Sequence, residues 1–369
     1  MSIHALDNPE TYRRHDPRDM LRHLHDIPTS CQNAWQLASD FHLPDDYRNV
    51  NKIVVLGMGG SAIGADLAAG LDECRIPIIV HRGYALPSFV DADTLVIASS
   101  YSGATEETNT ALFQAVASCA KKLVMTTGGP LRELASQHSL PCFSFSYASP
   151  PRAALPYSLI PLLSIISRLG FMHMTTDVID EAVSALVDLS NSIRETQPYE
   201  QNPAKKLAQA LYEKVCLVYG SGFLAEVGHR WKLQLNENAK AVAGYEAIPE
   251  LNHNTVVGYR FPHGISDKII VTMLESELLD ERIRQRYLVT GKLLERAGVS
   301  YNIVSARSSS KLSQVLELIT IGDYVSYYLA LLNQTDPYPL NEVDFLKSEL
   351  LSYAESRRGI SSDKLNCAQ

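Results

Sequence analysis

The sequence predicts an α/β protein built from two similar halves. Short apolar runs with strand character alternate with glycine-rich or polar loops and with segments of helical spacing. The alternation begins at Lys52, stops near residues 149–152 and begins again at Val215. Strands that alternate with helices form parallel sheets covered by helices on both faces. We therefore predict two such sheets, one in each half of the chain.

Nine runs carry the strand pattern. Five lie in the first half, at residues 53–56, 76–80, 95–98, 123–125 and 141–145. Four lie in the second half, at residues 215–219, 241–243, 269–272 and 301–304. Both halves open with a strand followed by a Gly/Ser turn, at residues 54–61 and 217–222, which is a local sign of the repeat.

The segments around the strands predict helices. Residues 1–50 are polar and rich in histidine, residues 156–213 have helical spacing broken near Pro198, and helices close the second half from Lys311 to Leu332. We predict five segments: an N-terminal helical extension (1–50), a first α/β domain (51–152), a helical connection (153–213), a second α/β domain (214–335) and a C-terminal helical segment (336–369).

Composition excludes several classes of partner. The 369 residues are 46% hydrophobic and 20% charged, as in ordinary globular proteins, and the formal net charge is -8. An acidic chain is a poor match for nucleic acid or an anionic membrane surface, so we expect neither partner. The chain shows no membrane-length apolar run and no signal-peptide pattern at its start, which predicts a cytoplasmic protein.

Cysteine and histidine spacing does not indicate a metal site. The six cysteines are scattered without a Cys-x-x-Cys pair, and the eleven histidines form no His-x-x-x-His or Cys/His ligand set. We therefore predict neither a disulfide framework nor a zinc site, and no cofactor.

Residues 100–108, Ser-Tyr-Ser-Gly-Ala-Thr-Glu-Glu-Thr, follow a buried-type strand and precede a helical stretch. A helix start presents unpaired N–H groups and the positive end of the helix dipole, and both favour an anion. Hydroxyl side chains in the loop add neutral donors, which suit a phosphate that must be released. The segment is also compatible with an ordinary capping box, because glutamates follow the Ser and Thr residues.

A glycine-rich turn follows the first strand, where Gly57 and Gly59 match part of a dinucleotide fingerprint. Arg82 lies just past the next strand, where the 2′-phosphate of NADP needs a cation. The third glycine position is Ala62, and no acidic residue follows the second strand. Nucleotide binding is therefore the less favoured interpretation of this turn.

The second half contains a predicted helix over residues 224–238, in which Arg230 and Glu237 share one face. They could project together towards a ligand, or form a solvated charged face. In the loop that follows, His253 lies between two asparagines and after Glu250. A histidine held in this way near a carboxylate has the groups needed for proton transfer.

Five motifs in this order make the chain resemble the bifunctional phosphoglucose/phosphomannose isomerases of bacteria and archaea. They are Gly-Met-Gly-Gly-Ser at 57–61, the Ser/Thr segment at 100–108, Pro-Arg-Ala-Ala-Leu at 151–155, Asn-Glu-Asn-Ala-Lys at 236–240 and Pro-Glu-Leu-Asn-His-Asn at 249–254. The resemblance covers about residues 50–350. It implies two flavodoxin-like sugar isomerase (SIS) domains, each a parallel sheet between helices.

The resemblance also implies a substrate site. In that family the Ser/Thr loop binds the sugar phosphate, which here corresponds to Ser100, Ser102 and Thr105, with Gly60 and Ser61 lining the same pocket. Ala104 stands where the family often has asparagine, a difference that removes no hydroxyl.

The family's chemistry is aldose–ketose isomerisation through a cis-enediol without a metal. By resemblance, Glu237 is the base that moves a proton between C1 and C2, and Arg152 stabilises the enediolate and contacts the substrate. His253 and Lys347 correspond to the residues that open the sugar ring. We therefore expect glucose 6-phosphate and mannose 6-phosphate as substrates alongside fructose 6-phosphate, and activity that EDTA leaves intact.

The resemblance further implies a homodimer in which His253 acts in the partner's active site. A non-catalytic SIS-type sugar-phosphate sensor is the main alternative; it would share the phosphate loop and would need none of the four predicted catalytic residues. An NADP-linked oxidoreductase would require a complete glycine fingerprint. A glutamine-dependent aminosugar synthase would require an N-terminal cysteine, and this chain begins Met-Ser-Ile.

Overall fold

The computed structural model describes the backbone of residues 3–366 and the side chains of residues 5–353. The chain begins with three helices, α1 (Pro9–His15), α2 (Met20–His25) and α3 (Ile27–Ser39). Asn8 caps α1 by accepting a hydrogen bond from the backbone N–H of Glu10, and Pro9 occupies the first helical position, where its missing N–H is not needed. Helix α3 packs against the core helices of the middle of the chain.

The first sheet contains β1 (Lys52–Leu56), β2 (Ile78–His81), β3 (Thr94–Ser100), β4 (Lys121–Thr126) and β5 (Cys142–Ser144). All pairs are parallel and the order is β2-β1-β3-β4-β5. Helices α4 (Gly59–Gly70), α5 (Glu106–Val116) and α6 (Gly129–Gln137) connect the strands. The strand order changes direction between β1 and β3. In open parallel sheets, ligands bind beyond the carboxyl ends of the strands at such a point.

Three helices lie between the sheets in sequence: α7 (Leu155–Arg168), α8 (Thr176–Ile193) and α9 (Pro203–Leu211). Helix α7 is almost wholly buried and packs between α3 and α4. The predicted break near Pro198 falls between α8 and α9. The five segment boundaries proposed from the sequence stay a prediction.

The second sheet contains β6 (Val215–Ser221), β7 (Ala243–Ile248), β8 (Ile269–Glu275) and β9 (Ser300–Ser305), in the order β7-β6-β8-β9. Its helices are α10 (Ala225–Glu237), α11 (Glu281–Ala297) and α12 (Lys311–Leu332). In both sheets the first strand lies between the second and the third, and all neighbours are parallel. The predicted α/β fold with two similar halves is confirmed.

Strand β7 begins where the sequence-based strand at residues 241–243 was expected to end. The chain first closes the end of α10, because the N–H of Ala241 donates to the carbonyl of Leu235 and Lys240 adopts a left-handed conformation (φ 54°). Beyond Ala243, glycine, tyrosine and glutamate interrupt the apolar pattern. The strand lies at the edge of the sheet and is only partly buried, which is why hydrophobicity alone misplaced it.

Helix α12 is long and apolar enough to cross a membrane by length and composition, contrary to the expectation that the chain has no such run. Its apolar window is 94% buried inside the protein, where it packs against α8, α9 and α10. It also carries two hydrogen-bonded carboxylates, Glu317 and Asp323. We therefore describe α12 as the central core helix. The last helix, α13 (Asn341–Asn366), is exposed along residues 341–353.

Candidate active site

The predicted phosphate loop lies at the carboxyl edge of the first sheet, beside the point where the strand order reverses. Ser100 ends β3, and its hydroxyl lies 2.8 Å from that of Thr105 and accepts the N–H of Gly103 at 3.1 Å. The hydroxyl of Ser102 is exposed and accepts the N–H of Ala104 at 3.2 Å. The loop is thus closed on itself and presents hydroxyl groups at the start of α5.

Thr105 is the N-cap residue of α5, but its side chain makes no capping hydrogen bond. Its hydroxyl pairs with Ser100 instead, so the capping-box interpretation does not hold. Helix α4, which starts at the same edge, also has no side-chain cap. Two helix N-termini therefore bring uncapped N–H groups and positive dipole ends towards one place, an arrangement that favours a phosphate.

Gly103 makes the tight turn of this loop possible. Its φ is 66°, in the left-handed region, and a Cβ atom there would lie 1.8 Å from the carbonyl oxygen of Gly128. No other residue fits without moving the backbone. The glycine is therefore required for the loop to pack against the turn that follows β4.

Gly60 and Ser61 join the predicted phosphate loop to the residues of the predicted catalytic centre. The hydroxyl of Ser61 accepts the N–H of Tyr101 at 3.0 Å. A Cβ at Gly60 would lie 3.2 Å from the carbonyl oxygen of Pro151 and 3.6 Å from the Cα of Arg152. The turn after β1 thus contacts both the loop after β3 and the segment that carries Arg152.

Arg152 is fully buried in a short 3-10 helix after β5, and backbone and side-chain acceptors hold its guanidinium. Its Nε donates to Oδ1 of Asn238 at 2.7 Å, and one terminal nitrogen donates to the carbonyls of Pro337 (2.6 Å) and Tyr338 (2.7 Å). The other terminal nitrogen lies 3.7 Å from Oε2 of Glu237. Burial lowers the pKa of Arg152, and the Glu237 carboxylate acts in the opposite direction.

Glu237 is the last residue of α10, and its side chain is partly exposed. The first α/β half supplies Arg152 and the second supplies Glu237, so the pair forms where the two halves meet. A carboxylate open to solvent beside a fixed guanidinium can accept a proton while the cation stabilises negative charge that develops nearby. The structure therefore brings together the predicted base and the predicted enediolate-stabilising residue. Gly60 and Ser61 connect the backbone of Arg152 to the predicted phosphate loop.

His253 lies elsewhere in the same chain. It ends a 3-10 helix (Glu250–His253) that follows β7, whereas Glu237 precedes β7. The six residues of β7 run between them, which separates the two ends by about 20 Å. His253 is exposed, and its imidazole makes no hydrogen bond with the residues the structure describes.

Lys347 lies in the exposed first half of α13, six residues after the helix begins. It has no hydrogen bond or ion pair among the described side chains. The segment just before α13 is nevertheless anchored at the site, since the carbonyls of Pro337 and Tyr338 accept hydrogen bonds from Arg152. The helix that carries Lys347 thus begins close to the Arg152–Glu237 pair.

Sequence reasoning missed several groups that build this site. Asn238 is fully buried; its Oδ1 accepts from Arg152, and its Nδ2 donates to the hydroxyl of Ser326 at 3.0 Å. Lys240 donates to the carbonyls of Glu237 (2.7 Å) and Pro337 (3.2 Å). The Asn-Glu-Asn-Ala-Lys motif was a signal for both residues, but Arg152, Ser326 and Pro337, with which they form hydrogen bonds, lie far away in sequence.

Arg230 does not project towards a ligand with Glu237, as their shared helical face suggested. It is buried and donates to the backbone carbonyl of Arg152 at 2.7 Å, and it lies 3.4 Å from the carboxylate of Asp323 on α12. Gln234 donates to the same carboxylate at 2.5 Å. Burial raises the pKa of Asp323, and Arg230 opposes that shift. Arg230 therefore holds the backbone of Arg152 in place through this hydrogen bond.

Arg82 is engaged by a carboxylate rather than open to a nucleotide phosphate, because it forms an ion pair with Asp66 of α4. Asp66 also lies near Glu226 and His229 of α10, with ligand atoms within 4.8 Å of one another. Such a group has the residue types of a metal site, but Arg82 already supplies positive charge to Asp66. This cluster lies outside the group of residues that contains Arg152 and Glu237.

Comparisons with known proteins show the family to which the chain is similar. The sequence model of the bacterial phospho-glucose isomerase C-terminal SIS domain matches residues 200–350. A bifunctional phosphoglucose/phosphomannose isomerase from Caldicellulosiruptor bescii is 39% identical over 334 residues, which cover 90% of this chain and 98% of that protein. The chain belongs to the bifunctional phosphoglucose/phosphomannose isomerase family. The family resemblance of the five motifs is thereby confirmed.

Another member of the family, from Aquifex aeolicus, is 32% identical and covers 82% of this chain and 91% of its own length. Among solved structures, a hypothetical protein from Thermus thermophilus superposes with a TM-score of 0.72 over 95% of this chain and 94% of its own, at 18% identity. At that identity the likeness concerns the fold alone. It supports the two-sheet architecture expected of the family.

Proposed function

We propose that this chain is a phosphosugar isomerase that interconverts glucose 6-phosphate and mannose 6-phosphate with fructose 6-phosphate. The observation that carries the proposal is the Arg152–Glu237 pair beside the hydroxyl-lined loop of the first sheet, in a chain of the bifunctional phosphoglucose/phosphomannose isomerase family. The same proposal places the enzyme in the cytoplasm, in carbohydrate metabolism.

The phosphate binds at the edge formed by the starts of α4 and α5. Ser100, Ser102 and Thr105 supply hydroxyl donors there, and Gly60 and Ser61 line the approach to Arg152. Neutral donors and backbone N–H groups hold a phosphate less tightly than charge-assisted pairs do, which suits a substrate that must leave after each turnover. Binding at this end fixes the sugar's reactive carbons with respect to Glu237.

Proton transfer falls to Glu237. Its carboxylate removes the proton from C1 of the open-chain ketose, a proton moves between O1 and O2, and the same group returns a proton to C2. Arg152, whose guanidinium is held by three acceptors, stabilises the negative charge of the enediolate. Because C2 is planar in the intermediate, protonation on either face yields glucose 6-phosphate or mannose 6-phosphate. We assign no step to a metal or cofactor.

The proposal includes a homodimer in which His253 acts on the substrate bound by its partner. It is supported by the position of His253 at the far end of β7 from Glu237 in its own chain. A second support is α13, where Phe345 and Leu346 are 66% and 56% exposed, as expected of a surface that a second copy could cover. Mixed dimers of Glu237→Gln and His253→Ala subunits should recover one competent site. If the mixture stays as inactive as its parents, His253 does not act in trans.

Lys347 is proposed to assist ring opening together with His253. Its support is the anchoring of residues 337 and 338 on Arg152, which starts α13 at the site. The side chain is exposed, so a contact with substrate requires closure of the helix or cover by a partner subunit.

Conversion of fructose 6-phosphate by the purified protein in excess EDTA tests the proposed function. Glucose 6-phosphate and mannose 6-phosphate are followed separately by NMR. Formation of both products supports the dual specificity. Formation of glucose 6-phosphate alone limits the activity to glucose 6-phosphate and fructose 6-phosphate. If fructose 6-phosphate binds but is not converted, the chain is a sugar-phosphate sensor rather than an enzyme.

A further inference from the structure

Lys240 occupies an unusual place beside the Arg152–Glu237 pair. It follows the C-terminal end of α10 with a φ of 54°, and the N–H of Ala241 closes this end by donating to the carbonyl of Leu235. Helices that end in this way usually have glycine at the left-handed position, because a Cβ atom there is sterically unfavourable. Lysine at this position therefore indicates that its side chain makes contacts which offset the unfavourable backbone conformation.

The lysine side chain turns back towards the site. Its Nζ donates to the carbonyl of Glu237, which closes the end of the helix that carries the base, and to the carbonyl of Pro337. The Pro337 carbonyl also accepts a hydrogen bond from Arg152. Lys240 and Arg152 therefore share one acceptor, on the segment that leads into α13.

This sharing connects three parts of the site. The end of α10 supplies Glu237, the 3-10 helix after β5 supplies Arg152, and the 337–338 segment receives donors from both sides. We propose that Lys240 is a positioning residue for the Glu237–Arg152 pair, which it holds by fixing the end of α10 to the Pro337 carbonyl. The inference rests on the proposed isomerase function and deepens it.

The charges around Lys240 predict a pH dependence. Partial burial lowers its pKa to about 8, and the Arg152 guanidinium acts in the same direction. The groups that oppose this shift are Asp336 in the segment before α13, Glu342 on α13 and Glu237 itself. Lys240 is thus charged below about pH 8 and loses its proton above it, so the charge-assisted bonds to the two carbonyls weaken as the pH rises through this value.

Three substitutions test the proposal by steady-state kinetics. Lys240→Met should lower kcat for fructose 6-phosphate about 10- to 100-fold with KM changed less than about twofold, because misplacement of the base slows chemistry more than binding. Lys240→Arg should recover most of kcat and move the alkaline limb of its pH profile upward, since arginine does not titrate there. Lys240→Gly should lose kcat as Lys240→Met does, while its melting temperature is unchanged or higher.

The glycine variant separates positioning from stability. If Lys240 only stabilised the end of α10, its substitution would lower kcat only in proportion to the fraction of protein that is no longer folded. Matched controls are Lys206→Met, which removes a lysine of α9 that donates to a backbone carbonyl, and Ser139→Gly, which relieves another left-handed residue (φ 51°). Both controls should keep wild-type kcat.

Amide hydrogen exchange gives a readout that does not need turnover. The peptide that spans residues 335–341 should exchange faster in Lys240→Met than in wild type. In Lys206→Met its exchange rate should equal that of wild type. Unchanged exchange in Lys240→Met overturns the inference, and so does wild-type kcat in Lys240→Met or a fixed alkaline limb in Lys240→Arg. A wild-type protein that fails to convert fructose 6-phosphate overturns the proposed function instead, and the exchange result then decides whether Lys240 holds the segment.

Discussion

The two halves of the chain share a strand order, yet the carboxyl edges of their sheets have different chemistry. In the first half, the loop after β3 presents Ser100, Ser102 and Thr105 at an uncapped helix start. In the second half, β8 ends at Glu275 and the loop after it begins with Ser276 and Glu277; the Ser276 hydroxyl donates to Oε1 of Gln314 at 2.5 Å. The two carboxylates disfavour a phosphate at this place, although Arg284 and Arg307 line the same cavity.

The second half of the chain also contains an internal anion, the carboxylate of Glu317. The carboxylate of Glu317 in α12 accepts the N–H groups of Arg307 and Ser308 and the hydroxyl of Ser308, at 2.8 to 3.1 Å. Loop N–H groups beyond β9 are thus satisfied by the protein itself. The second half instead contributes the C-terminal end of α10, where Glu237 lies next to Arg152 of the first half. The two halves therefore repeat a fold without repeating a site.

The largest effect is expected from removing the base. Glu237→Gln keeps the size and the neighbours of the side chain but cannot accept a proton, so kcat should fall by about 10²- to 10⁴-fold with KM nearly unchanged. Steady-state kinetics on fructose 6-phosphate measure this. Glu281→Gln, an exposed glutamate of the second half, is the control and should retain wild-type kcat.

Arg152→Lys should have the next largest effect. Lysine keeps the charge but cannot reach Asn238 and the two carbonyls with one planar group, so kcat should fall about 100-fold and the melting temperature should drop. Calorimetry together with kinetics at a temperature where the variant is fully folded separates the two effects. Retention of wild-type kcat would remove Arg152 from the enediolate step.

Substitution of loop hydroxyls compares the two sheet edges directly. Ser102→Ala and Thr105→Val should each raise KM for fructose 6-phosphate about tenfold, the cost of roughly one hydrogen bond to a charged group. The matched change in the second half, Ser276→Ala, should leave KM unchanged. A rise in KM with Ser276→Ala would mean that the second edge also takes part in substrate binding.

Glu317→Gln tests the internal anion of the second half and affects stability rather than catalysis. A neutral amide replaces a carboxylate that accepts several hydrogen bonds in a buried setting, so the free energy of unfolding should fall by about 1.5–3 kcal/mol. Urea unfolding followed by circular dichroism measures it. KM and kcat of the folded variant should stay at wild-type values, and a higher KM would contradict the separation between the halves.

Much of the fold and part of the candidate site followed from local sequence patterns. Buried strands such as β3 and the loop at residues 100–108 depend on neighbouring residues, so the sequence alone predicts them. Asn238, Lys240 and the Pro337 carbonyl depend on contacts between distant segments, and no periodicity marks them. Arg230 and Glu237 share a helical face in sequence, but packing buries the former beneath Arg152 and leaves the latter at the helix end.

Deuterium incorporation shows whether one carboxylate at the junction of the two halves carries out an enediol proton transfer. Fructose 6-phosphate is incubated with the enzyme in D₂O and excess EDTA, and the products are followed by NMR. We expect deuterium at C2 of both glucose 6-phosphate and mannose 6-phosphate with the wild-type enzyme, and none with Glu237→Gln. An undiminished rate of incorporation by Glu237→Gln would contradict this mechanism, and so would products whose C2 carries neither solvent deuterium nor the hydrogen that left C1 of fructose 6-phosphate.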